Sequence, residues 1–161
     1  MTTLTRRALA ALAATLLLLG GLAVSASSAA QPTTPVLTGI RTGLNTGFDR
    51  VVLDLSGPRP AVAHRLVDEL IADGSGEIVW LTGEHFVAVT ATPAAAHGAS
   101  GAPTYPGPVK FRTRSLRNVM AVAVTGDFEG VLSVGLGTRY RSWVRVFTLG
   151  SPTRVVIDIG H

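Results

Sequence analysis

Arg154-Val155-Val156-Ile157-Asp158-Ile159, close to the end of the chain, is foreshadowed a hundred residues earlier by Arg50-Val51-Val52-Leu53-Asp54-Leu55. In each copy three aliphatic residues alternate with an Arg, Val, Asp set. That is the period-2 pattern of a strand buried on one face, and it sets the fold class as β. Acids in such strands more often answer a cross-strand arginine than a substrate, so Arg50, Asp54, Arg154 and Asp158 are expected to stitch the sheet together. The rival reading, that Asp54 and Asp158 form the carboxylate pair of a glycosidase, has only the two acids in its favour.

The surrounding chain extends the pattern. After a weak first strand over residues 36–42 and a turn over 43–49 comes the strand 50–56, closed by Gly57-Pro58-Arg59-Pro60. Runs over 61–70, 77–81 and 86–92 follow, the last two spaced as a hairpin around Thr82-Gly83-Glu84. Residues 93–108 hold a cluster of Pro, Gly and Ala with no period and are expected to form a long loop, with Tyr105 as its one aromatic. Residues 116–125 and 131–136 flank a turn at Gly126-Asp127-Phe128-Glu129-Gly130, where Phe128 is expected to be buried between two solvated acids. Residues 143–149 and 153–159 then form a closing hairpin around Gly150-Ser151-Pro152. Eight or nine short strands with turns every eight to twelve residues predict an all-β, two-sheet antiparallel β-sandwich. Its inward faces are expected to be Val51, Leu53 and Leu55; Val87 and Val89; Met120, Val122 and Val124; Leu132, Val134 and Leu136; and Val155, Ile157 and Ile159.

Ahead of this region, Arg6 and Arg7 precede an apolar run over residues 8–24, and small residues follow to Ala30. The order is that of an export signal, with cleavage expected after Ala26 or, preferably, Ala30. Residues 1–30 are therefore read as a cleaved signal peptide, 31–35 as a linker and 36–161 as the working domain, secreted and with no membrane span after cleavage. Sec and twin-arginine routes are both compatible with this leader. The formal charge of +4 falls to about +2 once the leader's two arginines are set aside, so no nucleic-acid partner is called for. The chain has no Cys, which excludes disulfides, thiolate metal sites and a cysteine nucleophile.

With the order of elements in hand, a resemblance emerges. Gly47-Phe48-Asp49-Arg50-Val51-Val52, Gly126-Asp127-Phe128-Glu129-Gly130-Val131, and Arg145-Val146-Phe147-Thr148-Leu149 followed by Pro152-Thr153-Arg154-Val155-Val156-Ile157-Asp158 resemble the AMIN-like domain of secreted actinobacterial proteins. The resemblance covers nearly all of the chain from Val36 onward. It implies a β-sandwich distantly akin to the AMIN modules that accompany cell-wall amidases and secretin-type assemblies, where they hold peptidoglycan or envelope partners. It implies no catalytic residues.

The residues themselves offer little chemistry. The four histidines, His64, His85, His97 and His161, are scattered without the spacing of a metal site, and His64, alternating with Val62 and Leu66, is expected to be a half-buried structural histidine. No nucleophile elbow or dinucleotide motif is present; Gly135-Leu136-Gly137 lacks the third glycine and the helix. No cofactor and no metal are expected. The candidate binding residues are Arg139, Tyr140, Arg141 and Trp143, joined by Tyr105, because guanidinium groups bind carboxylates or phosphates while aromatic faces stack on sugars. The resulting expectation is a non-enzymatic module whose partner is a cell-wall glycan, peptidoglycan foremost, or another envelope component. The alternative is a protein–protein module that docks on an exported partner or self-associates, with the oligomeric state left open.

Overall fold

A computed structural model describes residues 33–161; the expected leader over residues 1–30 and the start of the linker lie outside the described residues. Nine strands run in the order β1 (Val36–Asn45), β2 (Phe48–Ser56), β3 (Ala61–Val67), β4 (His85–Thr92), β5 (Lys110–Arg112), β6 (Val119–Phe128), β7 (Val131–Thr138), β8 (Val144–Leu149) and β9 (Thr153–Gly160). Every strand pair is antiparallel. They form a four-stranded sheet of order β1-β2-β9-β8 and a five-stranded sheet of order β3-β4-β7-β6-β5. Among the described residues there is no helix. The molecule is the all-β sandwich that the alternating pattern predicts.

The two copies of the Arg-Val-Val-aliphatic-Asp repeat are the neighbours β2 and β9. Val51 lies opposite Ile157 and Leu53 opposite Val155, so both apolar faces point the same way. They meet Val87 and Val89 of β4, Val122 of β6, and Leu132, Val134 and Leu136 of β7 in one buried cluster. Leu37, Ala91, Ala94, Leu116 and Val119 also belong to it.

Several expectations need correction, each for a local reason. The turn over 43–49 is much tighter, since β1 runs on to Asn45 and β2 starts at Phe48. Gly47 supplies the positive φ of this two-residue turn. Met120 does not join the core: it is the extra residue of a bulge between Val119 and Ala121, so Val119 takes the inward place beside Val122. A second bulge between Val124 and Gly126 reverses the phase again. Asp127 is thereby set opposite the inward-facing Leu132, and Phe128 swings out to 59% exposure instead of being buried. His64 is exposed although in register with buried Val89, because β3 is the margin of its sheet and lacks cover there.

The hairpin expected from residues 77–81 and 86–92 does not form. β4 pairs with β3 and β7, and the stretch before it carries only an isolated bridge between Ile71 and Ile78. Residues 68–84 instead cross the outer face of the five-stranded sheet as a strap. Leu70 is buried against Gly135, the Asp73 carboxylate accepts a hydrogen bond from Ser133, and Gly83 lies against Gly137. The glycines at 135 and 137 are what let another segment lie directly on the strands.

The long Pro-rich loop is anchored at both ends. Ala94 and Ala95 are buried, Ala95 bridges Val36 in parallel, and Ala94 N–H donates to Gly130 O at 2.8 Å. Pro35, where the linker was expected to end, accepts from Ala95 N–H at 3.0 Å and is buried. Short strand β5, which the sequence reading missed, then adds an edge beside β6.

Candidate functional site

The connection between β7 and β8, residues 139–143, is held from beneath by two buried polar side chains. Asp49, fully buried on β2, accepts hydrogen bonds from the backbone N–H groups of Arg117, Asn118 and Val119 at 3.1, 2.6 and 2.8 Å. A buried carboxylate is tolerated where N–H donors replace its water shell, and here three do so. Asn118, equally buried, donates through Nδ2 to Gly160 O at 2.8 Å. Its Oδ1 accepts from the N–H groups of Arg139 and Tyr140 at 3.1 and 3.2 Å. One chain of contacts thus runs from β2 through the entry to β6 to the first residues of the connection.

From this base the candidate side chains diverge. Arg139 Nε donates to Arg117 O at 2.9 Å, which aims its guanidinium toward Arg112 and Arg114. Tyr140 is 45% exposed. Arg141 reaches the fully solvated Asp68 at 3.7 Å, a contact of little energetic weight. Trp143 turns the other way, to the outer face of the four-stranded sheet. Its ring centroid is 6.1 Å from that of Phe48, and a Cβ on Gly160 would overlap the indole, so the glycine makes room for it. Gly160 N–H also donates to Trp143 O at 3.0 Å. The indole is nonetheless 52% exposed, held from below and open above.

Tyr105 stands apart from this group. It packs on the core, Gly107 leaves space for its ring, and its burial raises the phenol pKa above the ordinary value. The neighbouring Thr104 Oγ1 donates to Leu37 O at 2.7 Å, tying this part of the loop to β1. Among the described residues no hydrogen bond or ring contact joins Tyr105 to residues 139–143.

Along the outer face of the four-stranded sheet, arginines, aromatics and acids interlock. Arg50 clamps Asp158, its direct cross-strand neighbour, through Nε and Nη2 at 2.7 and 2.8 Å. Hydrogen bonding to Asp158 raises the Arg50 pKa despite partial burial. The Arg50 guanidinium lies 5.1 Å from the Phe48 ring centroid and 5.9 Å from that of Phe147, and Arg145 lies 4.9 Å from Phe147. Asp54 does not pair with Arg154, although the two are in register; Arg41 of β1 takes it bidentately at 2.6 and 2.7 Å. Arg154 instead donates from Nε to Pro152 O at 3.1 Å. Both oxygens of Asp54 and of Asp158 are committed to separate guanidinium groups, so the two acids do not face a common substrate space.

The histidines remain separated. His97 Nδ1 lies 2.6 Å from Asp127 Oδ2, and buried His161 lies 3.2 Å from Asn45 O through Nε2. Among the described residues no three His, Asp or Glu side chains are placed to share a metal ion.

Sequence reasoning passed over Asp49 and Asn118. For Asp49 a signal was available: it occupies an inward position of β2, out of phase with Asp54 on the outward side of the same strand. Asn118 gave none, because its role depends on two strands that are distant in sequence.

No curated protein and no solved structure matches this chain. The sequence model of one family does, the AMIN-like domain, over residues 35–161. That span takes in both arginine-aspartate strands, the buried Asp49 and Asn118 pair and the connection they support, and the chain belongs to the AMIN-like domain family.

Proposed function

We propose that the domain is an extracytoplasmic, non-catalytic module that binds cell-envelope material, foremost peptidoglycan, through the exposed side chains of residues 139–143. The observation that carries this reading is Trp143. A large aromatic, about half exposed, is fixed by Phe48 and Gly160 beneath it rather than left free to fold onto the surface. A ring ordered before binding loses little entropy when a sugar stacks on it. Tyr140 and the guanidinium groups of Arg141 and Arg145 supply hydrogen bonds for the carboxylates of a peptide-bearing glycan. Membership of the AMIN-like family and the export-signal pattern of residues 1–30 point to the same compartment.

The test is retention of the purified protein on cell-wall sacculi at low ionic strength. Trp143→Ala is expected to weaken retention about tenfold, the equivalent of losing one contact of about 1.4 kcal/mol. Absence of retention by the unaltered protein at low salt, where charge pairing is strongest, would sink the reading.

A second reading, docking on an exported protein or on another copy, is favoured by Leu66, half exposed on the margin strand β3. Sedimentation mass rising with concentration, without sacculus binding, would select it.

A further inference from the structure

On the five-stranded sheet, away from Trp143, lies a groove between the strap and the margin strand β5. Trp80, Leu81 and Thr82 form one wall, Lys110 and Arg112 the other, and Ala121 the floor. It continues past Thr82 and Arg112 to Arg114 and Arg139. Four cationic side chains line it and no acidic one does. None of the four forms an ion pair among the described residues.

The row is regular because it is built on a strand. Phe111 lies opposite inward-facing Val122, and Thr113 is buried and continues the pairing by donating from N–H to Met120 O at 2.9 Å. Lys110, Arg112 and Arg114 therefore project on the other side, all exposed. Alternate residues of a strand are roughly 6.7 Å apart. At the end of the row stands Trp80, 78% exposed, its carbonyl accepting from Lys110 Nζ at 3.0 Å. A tryptophan this open contributes little to the core, and the contact keeps it beside the cations.

From this arrangement we infer that the groove binds one extended strand of an anionic polymer linked through phosphodiesters. The spacing favours phosphate. Two phosphorus atoms joined by a three-carbon polyol are six bonds apart, which at the projection of consecutive Cα atoms spans up to about 7.5 Å, close to the cation repeat. A phosphodiester also carries its charge in the chain itself, so each repeat meets the next guanidinium whichever way the polymer rolls, and arginine can bind it with two parallel hydrogen bonds. Trp80 covers a carbon linker at the Lys110 end. This inference stands independently of peptidoglycan recognition, and only Arg139 is common to the two surfaces.

Titration of the purified protein with soluble poly(glycerol phosphate), read by Trp80 fluorescence in a Trp143→Phe background, tests it. Four phosphate contacts predict that affinity falls about 50-fold between about 50 and 200 mM salt. Replacing Arg112 and Arg114 together by Gln is expected to halve the slope of log affinity against log salt. Both side chains are exposed, and an unchanged urea midpoint, together with unchanged retention on sacculi freed of phosphodiester polymer when the double replacement is made with Trp143 in place, will show that the fold and the Trp143 surface survive. Equal binding of neutral dextran, or an unaltered salt slope in the double variant, overturns the groove. Equal binding of polygalacturonate, which carries carboxylates, overturns the assignment to phosphate.

Discussion

The Asp49 carboxylate has no exposed surface and accepts hydrogen bonds from three backbone N–H groups. Asp49→Ala leaves those donors buried and unsatisfied, and the expected loss is about 4 kcal/mol, read as a fall in the urea midpoint at constant m. Tyr105 gives a second expectation, with a defined sign. Burial raises its phenol pKa, so the folded state holds the proton more tightly than the unfolded chain, whose tyrosines titrate near 10. Its contribution is full below that value and is lost as pH rises through the folded pKa. The chain has two tyrosines, so absorbance titration of Tyr140→Phe isolates Tyr105, and its midpoint is expected above the ordinary value. The sequence reading assigned Arg50 and Asp158 to sheet stitching because charged residues recur on the solvent side of alternating strands. It could not choose partners: Asp54 faces Arg154 in register yet is held by Arg41, a residue of β1 that the repeat does not contain.

Elements were legible where polar and apolar residues alternate along the strand, as in β2, whose inward positions are buried and whose outward ones are partly exposed. Their ends were misread where another segment lies over a strand, and their phase where a bulge interrupts the alternation. β7 is buried at seven consecutive positions because the strap lies over its outer side, and it runs two residues past its expected end at Leu136. A Cβ at position 137 would collide with the carbonyl of Thr82, and the strap cannot retreat without exposing Leu70. Gly137→Ala is therefore expected to cost about 1–3 kcal/mol and to raise amide exchange in residues 68–84 before the strands exchange. Equal exchange in strap and strands would show that the strap is not an independently opening unit. β6 failed for a different reason. Its two bulges break the period of two, so that inward Val119 and Val122 are three residues apart, and alternation alone selects Met120.

For the molecule as a whole, one apolar cluster draws residues from both sheets, so neither sheet has a dry face without the other. Unfolding is accordingly expected to be a single cooperative transition. Leu136→Ala, at a fully buried member of that cluster, is expected to cost about 3 kcal/mol and to lower amide protection equally in β2, β9, β4 and β7. Loss confined to the five-stranded sheet would show two separable layers. The architecture itself was settled by sequence, because hydrophobic alternation is a local record of which face meets water, and it identifies a sandwich without knowledge of which strands pair. The order of motifs was likewise enough to place the family. Tertiary structure alone decided what the surface can bind. Arg139 and Trp143, four residues apart in one polar connection, point to different sheets once Asn118 fixes the backbone between β7 and β8. Trp80, Lys110 and Arg139, remote from one another in the chain, come to line one groove. Strand periodicity is written in neighbouring residues, whereas a site depends on which distant side chains the folded backbone sets side by side.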